Sequence, residues 1–355
     1  MVMVFTIENA LIIMSVLICA LLILIFITGN NKKPYIVSEF YSLGTLNQLK
    51  VYGKNAKKAI EQSILKLSEI DDKMSVFKED SEISKINKHA GNQPRIVSKD
   101  TYYVIKKALE YCSLSKGAFD ITIGPIVALW GIGKKSARIP GINEIKEKLK
   151  SVNYTDIVLD KNTSSVLLKN EKQEIDVGGI AKGYAADEVK NILIKNGIKS
   201  ALINLGGNII ALGTKEDGSP YSVGIQDPFK ARGKFALTIS VINKSVVTSG
   251  NYERYFTVEG KRFHHIINPS MGYPSESDII SATIISDNSI DGDGLSTGVY
   301  IMGIHKAIKL IEEVKGVDAV FITKNKEVYA TSGIRENFIL TNDEFVYKNG
   351  IYEER

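Results

Sequence analysis

Three short segments of this chain carry residue types that suit phosphate and metal chemistry. In the first, Asp176 is followed by Gly178, Gly179 and, in the first turns of a predicted helix, Lys182. Glycines let the backbone approach a ligand closely, and the N–H groups at a helix start favour a phosphate, to which a lysine adds positive charge. The spacing fits neither a Walker A loop nor a dinucleotide fingerprint. Two interpretations stay open, a phosphate site and a structural strand-to-helix turn.

The second segment, DGDGLST at 291–297, indicates a metal ion or a helix cap. Asp293 and Thr297 are four residues apart, so they share a face if a helix begins here. A carboxylate and a hydroxyl without a nearby His or Cys suit Mg²⁺ or another hard cation. Asp293 also suits a plain N-cap. Asp291 adds a carboxylate that either supports a second metal or belongs to the turn.

The third segment holds His264 and His265, just before a turn through Pro269 and Gly272. On an alternating strand, only one of two neighbouring rings faces a given side. A histidine beside a phosphate or a hydroxyl nucleophile acts as a base or a positioning donor. A hydrogen-bonded structural histidine is the alternative.

Hydrophobic periodicity predicts the elements that position these segments. Helices are predicted over residues 56–74, 98–115 and 144–149. A further helix is predicted to begin within the 178–183 segment and run to about 195, and a helix pair is predicted over 294–314. Strands are predicted over 40–51, 157–159, 165–168, 174–177, 201–212, 221–225, 235–247, 264–267, 279–285, 319–323 and 327–331, with a strand and turn over 117–125 and a polar stretch over 75–86. Because strands and helices alternate without strict βαβ order, the fold class is α+β or mixed α/β.

Residues 1–29 are predicted to be a membrane anchor or a signal segment. Residues 10–27 are apolar apart from Ser15 and carry no charge. This run exceeds the ~7–15 residues of a secretory h-region and approaches the ~20 that span a bilayer, which favours a retained anchor. A cleaved or lipidated leader and a buried core helix are the alternatives. Lipidation at Cys19 is disfavoured because Ile18, rather than a small residue, precedes it.

Charge and cysteine content exclude two function classes. The formal charge of +5 comes from 45 basic and 40 acidic residues spread along the chain, so no nucleic-acid partner is predicted. Cys19 and Cys112 are too few and too far apart for a disulfide framework or a thiolate metal site. After the anchor we predict a linker at 30–39, one domain at 40–345 and a C-terminal tail at 346–355.

Taken together and in order, these segments resemble the FAD:protein FMN transferases of the ApbE family. The resemblance extends over about residues 41–333. It rests on SEISKIN at 81–87, GAFD at 117–120, TIGP at 122–125, WG at 130–131, IDVGGIAKGYAAD at 175–187, INLGGN at 203–208, TSGNYER at 248–254, HHIINP at 264–269 and DGLST at 293–297.

This resemblance implies an enzyme that transfers the FMN part of FAD to a Thr or Ser hydroxyl of an acceptor protein. Mg²⁺ is the implied cofactor and AMP the released product. Two alternatives would use the same site: an Mg²⁺-dependent FAD pyrophosphatase, in which water attacks, and a non-catalytic flavin-binding protein. The implied fold is related to the T-fold and has two subdomains with the flavin between them.

The family's usual acceptors are subunits of membrane redox complexes, which implies a cell-membrane anchor with the catalytic domain outside the cytoplasm. Lys32 and Lys33 follow the apolar run, and the positive-inside rule applied to them alone would give the opposite orientation.

The resemblance also implies roles for individual residues. Asp293, Thr297 and the Gly179 carbonyl are the predicted metal ligands, and His265 is the predicted catalytic residue. The predicted FAD contacts are Leu43, Phe77, Ala118, Phe119, Asp120, Asp176, Lys182 and Ile266. Leu43 and Phe77 stand where the family often has Met and Tyr, and Asn268 replaces the usual Asp.

Overall fold

The computed structural model of the chain describes residues 34–348. The predicted anchor, residues 30–33 of the predicted linker and residues 349–355 lie outside this range. Within residues 34–348, no helix combines the length and the apolar character that crossing a bilayer requires.

One large sheet organises the fold. The strands are β1 (Tyr35–Ser42), β2 (Thr45–Tyr52), β3 (Arg95–Ile96), β4 (Ile157–Asp160), β5 (Ser165–Leu168), β6 (Ala201–Leu205), β7 (Asn208–Leu212), β8 (Tyr221–Gln226), β9 (Phe235–Val241), β10 (Lys244–Gly250), β11 (Tyr255–Val258), β12 (Lys261–His264), β13 (Ile267–Asn268), β14 (Tyr273–Pro274), β15 (Ile279–Ser286), β16 (Val317–Thr323), β17 (Glu327–Ala330), β18 (Phe338–Leu340) and β19 (Val346–Tyr347). In the described part of the chain, nine of them form the large sheet in the order β1-β2-β6-β7-β10-β15-β16-β17-β19. Its pairings are antiparallel except for β17 with β19.

Helices cover one face of this sheet, and a small sheet covers part of the other. The helices are α1 (Ala56–Met74), α2 (Glu82–Lys88), α3 (Lys99–Leu114), α4 (Gly124–Trp130), α5 (Ile142–Leu149), α6 (Ala181–Lys195), α7 (Ser289–Met302) and α8 (Ile304–Glu313). The largest core cluster joins sheet residues such as Ile203 to helix residues such as Leu67 and Val299. A second cluster packs β18-β9-β8 against the opposite face. The predicted mixed α/β class is confirmed, whereas the T-fold relation and the two subdomains stay predictions.

Two long helices follow their sequence patterns closely. The predicted bounds of α1 are confirmed, and its buried residues include Ile60, Leu67 and Ile70, which recur at helical spacing. Ser98 caps α3 as predicted, since its side chain accepts a hydrogen bond from the backbone N–H of Thr101.

The prediction of one strand over 40–51 was wrong, because the chain forms a β1–β2 hairpin there. The turn at Leu43 and Gly44 has φ angles of +54° and +70°. A two-residue hairpin turn with both φ angles positive usually carries Asn-Gly or Asp-Gly. The sequence here is Leu43-Gly44, so the turn was not predicted. Residues 35–39, predicted as linker, belong to β1, and residues 346–347, predicted as tail, belong to β19.

Several other strand boundaries needed correction. The predicted strands at 201–212 and 235–247 each contain a turn, and the strand at 264–267 is interrupted after His264. Residues 117–123 and 174–177 were predicted as strands, but they are irregular and share one isolated bridge, between Ile123 and Glu174. The polar stretch at 75–86 conceals the start of α2, which Ser81 caps. Seven residues are too few for periodicity to reveal such a helix.

Candidate active site

Asp293 occupies the contact between α6 and α7. Its side chain is only 7% exposed. Oδ2 accepts a hydrogen bond from the backbone N–H of Gly183 at 2.8 Å, and Oδ1 lies 3.8 Å from Nζ of Lys182. The carboxylate is therefore held by the first turn of α6 through one oxygen, while its second oxygen faces a positive charge beyond hydrogen-bond distance.

Thr297 lies one helical turn after Asp293 on α7, as the sequence spacing predicted. Its Oγ1 is 3.3 Å from Oγ of Ser249 on β10, and Ser249 Oγ is 2.9 Å from Oγ of Ser296. The end of β10 therefore meets the same face of α7. Ser249 was not predicted as a site residue, although it belongs to the TSGNYER segment.

The donor set at this point fits a hard cation. Oδ1 of Asp293 and the hydroxyl of Thr297 are both oxygen donors on one helix face, the type that Mg²⁺ prefers. Residues 34–348 contain no group of three or more His, Cys, Asp or Glu side chains that could hold a metal ion. A cation here would therefore draw further oxygens from the backbone, water or substrate, which is usual for Mg²⁺ bound with phosphates.

Asp291 belongs to a separate structural network. Its carboxylate accepts a short hydrogen bond from the hydroxyl of Tyr111, and Nζ of Lys107 is 3.2 Å away. This network joins α3 to the first turn of α7. Of the two alternatives for Asp291, the structure favours the turn over a second metal.

The segment from Asp176 to Lys182 is held from two sides. Asn87 forms a pair of hydrogen bonds with the backbone of Ile175, at 3.0 and 2.9 Å, and the N–H of Asp176 donates to the Ile121 carbonyl at 2.8 Å. Oδ1 of Asp176 accepts a hydrogen bond from the N–H of Gly178 at 2.8 Å. Asn87 was missed as a site residue, although it ends the SEISKIN segment.

Gly179 brings the GAFD segment to the start of α6. A Cβ atom built on Gly179 would lie 3.0 Å from the ring of Phe119. Phe119 is buried and Ala118 is half-buried beside it. The predicted metal ligand and two predicted FAD contacts therefore lie next to each other.

Both carboxylate oxygens of Asp120 accept hydrogen bonds from other residues of the chain. Oδ1 accepts hydrogen bonds from the N–H and the hydroxyl of Thr122, at 2.8 and 2.6 Å, and Oδ2 accepts one from the N–H of Tyr154 at 3.1 Å. Burial raises the pKa of this carboxyl, against these hydrogen bonds. Its side chain orders the turn after Phe119, and its predicted contact with FAD stays a prediction.

The two histidines have different surroundings. His264 is buried, with Nε2 3.0 Å from the Ser275 carbonyl, while its Nδ1 accepts from the N–H of Ile266 at 3.3 Å. His265 is half-buried, and its Nδ1 lies 3.2 Å from the Arg254 carbonyl oxygen. Because only an N–H can donate to a carbonyl, this contact leaves Nε2 of His265 as an acceptor. His264 is structural, and His265 retains the free nitrogen that chemistry requires.

Burial lowers the pKa of His265 to about 3, and the nearby positive charges of Arg254 and Lys182 act in the same direction. This electrostatic effect means that the ammonium of Lys182, in the first turn of α6, lies near the ring of His265. Ile266, a predicted FAD contact, is buried immediately after it.

Phe77 and Leu43, two further predicted FAD contacts, differ in their surroundings. Phe77 is 76% exposed, and Nζ of Lys134 lies 4.6 Å from the centre of its ring. Leu43, at the β1–β2 turn, is half-buried and packs on the main core cluster.

Strand register places the Leu43 turn at the same end of the sheet as Ser249. β2 pairs Asn47 with Leu205, and β6 pairs Leu205 with Asn208. β7 in turn pairs Ile209 with Val246 of β10. Ser249 follows Val246 on β10, so it lies at the end of the sheet where the β1–β2 and β6–β7 turns also lie. β2, which follows the Leu43 turn, is three strand spacings from β10, or about 14 Å at roughly 4.8 Å each.

Comparisons with known proteins agree with this arrangement. The model of the ApbE family matches residues 43–321. The chain belongs to the ApbE family. Among ApbE relatives, the FAD:protein FMN transferase of Treponema pallidum (strain Nichols) is 36% identical over 321 residues, covering 86% of this chain and 89% of that protein. The protein of the same name from Klebsiella pneumoniae (strain 342) is 35% identical over 297 residues, covering 83% and 92%.

Solved ApbE structures share the fold. The ApbE protein of Thermotoga maritima gives a TM-score of 0.79 at 32% identity, covering 86% of this chain and 99% of that chain. The flavin transferase ApbE of Vibrio cholerae gives 0.78 at 26% identity, covering 86% and 100%. The family prediction made from the sequence motifs is confirmed.

Proposed function

We propose that this protein transfers the FMN part of FAD to a Thr or Ser hydroxyl of an acceptor protein and releases AMP. The acceptor oxygen bonds to the FMN phosphorus, the pyrophosphate bond breaks, AMP leaves with the bridging oxygen, and the hydroxyl proton is released. The observation that carries this proposal is the contact of Asp293 with both Gly183 and Lys182 in a chain whose ApbE relatives bear the transferase name.

The start of α6 supplies a place for the pyrophosphate. No side chain caps this helix. The N–H groups of Ile180 and Ala181 donate to the Val177 carbonyl and that of Gly183 donates to Asp293, so in the described part of the chain the N–H of Lys182 is the one at this helix start that remains available to an anion. Lys182 adds a positive charge at the same point. Asp176 shapes the approach by holding the N–H of Gly178.

Mg²⁺ would be held by Asp293, Thr297 and the Gly179 carbonyl. When bound, it would neutralise charge on the pyrophosphate oxygens. Asp293 is suited to this role because Gly183 restrains one of its oxygens and leaves the other free of hydrogen bonds in the described part of the chain.

The flavin would lie between the GAFD segment and the exposed ring of Phe77. Phe77 offers an exposed ring for stacking, and Phe119, Ala118, Leu43 and Ile266 offer apolar surface. Replacing the usual Tyr by Phe77 retains the stacking surface and removes one hydroxyl.

His265 is the proposed catalytic residue. Nε2 accepts the hydrogen bond of the acceptor hydroxyl, orients its oxygen and receives its proton as the new bond to phosphorus forms. The lowered pKa means that the ring is neutral in the free protein at neutral pH, so Nε2 can accept the hydrogen bond of the acceptor hydroxyl.

Cellular placement is part of the same proposal. Residues 1–29 would anchor the protein in the cell membrane, with the catalytic domain outside the cytoplasm, where subunits of membrane redox complexes would be its acceptors. The T-fold relation with two subdomains completes the proposed architecture.

The test uses the full chain in detergent, mixed with FAD, Mg²⁺ and a quinone-reductase-type subunit that carries an acceptor threonine. Flavin fluorescence of the denatured acceptor band and AMP release are measured together. A fluorescent band that EDTA abolishes supports the transferase, and a Thr→Ala acceptor is the matched control.

The two alternatives give different results. AMP and FMN without a labelled band, across several acceptor subunits, indicate an FAD pyrophosphatase. FAD binding without either product indicates a non-catalytic flavin-binding protein, and both results contradict the proposed transfer.

A further inference from the structure

A cavity of about 390 Å³ opens between the loop at 226–232 and the β11–β12 hairpin. Its size is in the range of roughly 300–1,000 Å³ that is typical of ligand sites. The lining combines aromatic rings with charged groups, among them Phe229, Lys230, Arg232, Glu253, Tyr255 and Arg262.

Two arginines in this lining are available to a ligand. The guanidinium of Arg262 lies 4.2 Å from the centre of the Tyr255 ring, and no carboxylate forms a salt bridge with it among residues 34–348. Arg232 is 79% exposed and 3.6 Å from Glu253, a loose surface pair that contributes little. Lys230 is held by Glu344 at 2.7 Å. The free positive charge of the cavity therefore comes mainly from the two arginines.

Residues that line the cavity are neighbours in sequence of the residue that holds His265. Glu253 and Tyr255 flank Arg254, whose carbonyl accepts from the N–H of His265 at 3.1 Å and contacts its Nδ1 at 3.2 Å. Arg262 precedes His265 by three residues, a span of at most about 10 Å along an extended chain. A peptide held in the cavity would therefore extend to the ring of His265 within a few residues.

None of the residues predicted to contact FAD or the metal lines this cavity. Its positive charge is thus separate from the start of α6, where the pyrophosphate is proposed to bind. A guanidinium recognises a carboxylate through two parallel hydrogen bonds, and one stacked on an aromatic ring is already oriented for this.

We propose that this cavity binds an acidic segment of the acceptor protein close to the residue that receives FMN. The inference rests on the proposed transferase function and extends it to the recognition of the acceptor. A nucleotide or another small anion is the competing occupant.

The test compares the full chain with Arg232→Gln, Arg262→Gln and the double variant. Rates of flavin attachment are measured against the concentration of the quinone-reductase-type subunit and, separately, against FAD. In the double variant we expect KM for the subunit to rise about 10-fold, with kcat and KM for FAD within about twofold, because rim charges act on encounter and binding. In the wild type, KM for the subunit should rise as salt is added, and this rise should be smaller in the double variant.

Lys261→Gln is the matched control. Lys261 adjoins Arg262 on β12 and is exposed. Its Nζ is 3.3 Å from Oε1 of Glu276, and neither residue lines the cavity. This variant should leave both KM values unchanged.

Binding of the subunit without FAD separates this inference from the proposed function. A dissociation constant that weakens about 10-fold in the double variant supports the cavity even if the wild type transfers no flavin. An unchanged KM and dissociation constant overturns it, and so does a wild type that does not bind the subunit. A rise in KM for FAD alone would instead assign the cavity to a nucleotide.

Discussion

The backbone N–H of Gly183 and the carboxylate of Asp293 are in direct contact because no side chain separates them. A Cβ atom on Gly183 would lie 2.4 Å from the Ser289 carbonyl oxygen and 2.7 Å from Cβ of Asp293. The buried carboxylate of Asp187 fixes the same junction, accepting hydrogen bonds from the N–H groups of Ser289 and Ile290 at 2.8 and 2.9 Å. The proposed phosphate-binding turn and the proposed metal-binding turn are thus one rigid unit.

Gly183→Ala should damage this unit. In an open helix, the change from Gly to Ala is stabilising by about 1 kcal/mol, whereas here the added methyl forces α6 and α7 apart and should cost roughly 1–3 kcal/mol. Urea unfolding and flavin transfer measure the two effects. Asn191→Ala, on an exposed position of the same helix, is the control and should retain both. A stabilised, fully active Gly183→Ala variant would contradict the close contact.

Asp293→Asn should remove metal-dependent turnover while the fold remains intact. The amide oxygen still accepts from Gly183, but the charge that faces Lys182 and the metal is lost, so transfer should fall by about 100-fold or more. An Mg²⁺ titration of the rate is the measurement. Asp291→Asn is the paired variant and should stay within about threefold, since Asp291 bonds to Lys107 and Tyr111 instead. Equal losses in the two variants would refute the separate roles.

Sequence reasoning predicted the parts of the site that depend on spacing within one element. Asp293 and Thr297 share a helix face as their separation required, and Lys182 lies in the first turn of α6. Family resemblance added GAFD, whose contact with Gly179 the structure displays. These features are local or carried by a motif, and both kinds of signal are visible in one sequence.

Features that depend on distant pairing could not be predicted in this way. Asn87 holds Ile175, 88 residues away, and Asp187 holds the start of α7, about 100 residues away. Nothing in the neighbourhood of either residue indicates its partner. The Leu43 turn was concealed for a different reason, since a leucine rarely adopts a positive φ.

Phe77→Ala should weaken FAD binding without affecting stability. The ring is 76% exposed, so its removal leaves no buried cavity, and the free energy of unfolding should change by less than about 0.5 kcal/mol. Loss of a stacking surface should raise KM for FAD by about 10-fold. Leu65→Ala, at a position 72% exposed on α1, is the matched control for a lost apolar side chain. An unchanged KM would remove Phe77 from the flavin site.

His265 should make folding stability sensitive to acid. Burial lowers its pKa to about 3 in the folded protein, whereas an unfolded histidine titrates near ~6.5. Between these values the unfolded state binds more protons, so this residue's contribution to stability is present above the unfolded pKa and is lost as the pH falls. Thermal midpoints from pH 7.5 to 4.5, without FAD or Mg²⁺, should fall less steeply for His265→Gln than for the wild type. Parallel curves would show that the ring protonates as readily in the folded state.

Asn268→Asp should have little effect on transfer rate or stability, although it restores the residue usual in the family. Oδ1 of Asn268 accepts hydrogen bonds from the N–H and the hydroxyl of Ser270, at 3.0 and 2.9 Å, and a carboxylate accepts the same pair. We expect transfer rates within about twofold and a similar thermal midpoint, because the turn needs an acceptor rather than a charge. A tenfold gain in rate would instead assign the family's Asp a direct role in catalysis.

Asn87→Ala should impair the site from a distance. It leaves the N–H and carbonyl of Ile175 without partners at a partly buried position, which should cost roughly 1–3 kcal/mol of folding free energy. Because Asp176 follows immediately, its backbone loses its second restraint, and kcat should fall while KM for the acceptor is retained. Asn87→Gln tests the geometry, since it has the same amide one methylene further out. If both variants keep full kcat at a temperature where they are folded, the clamp serves stability alone and does not position the phosphate-binding turn.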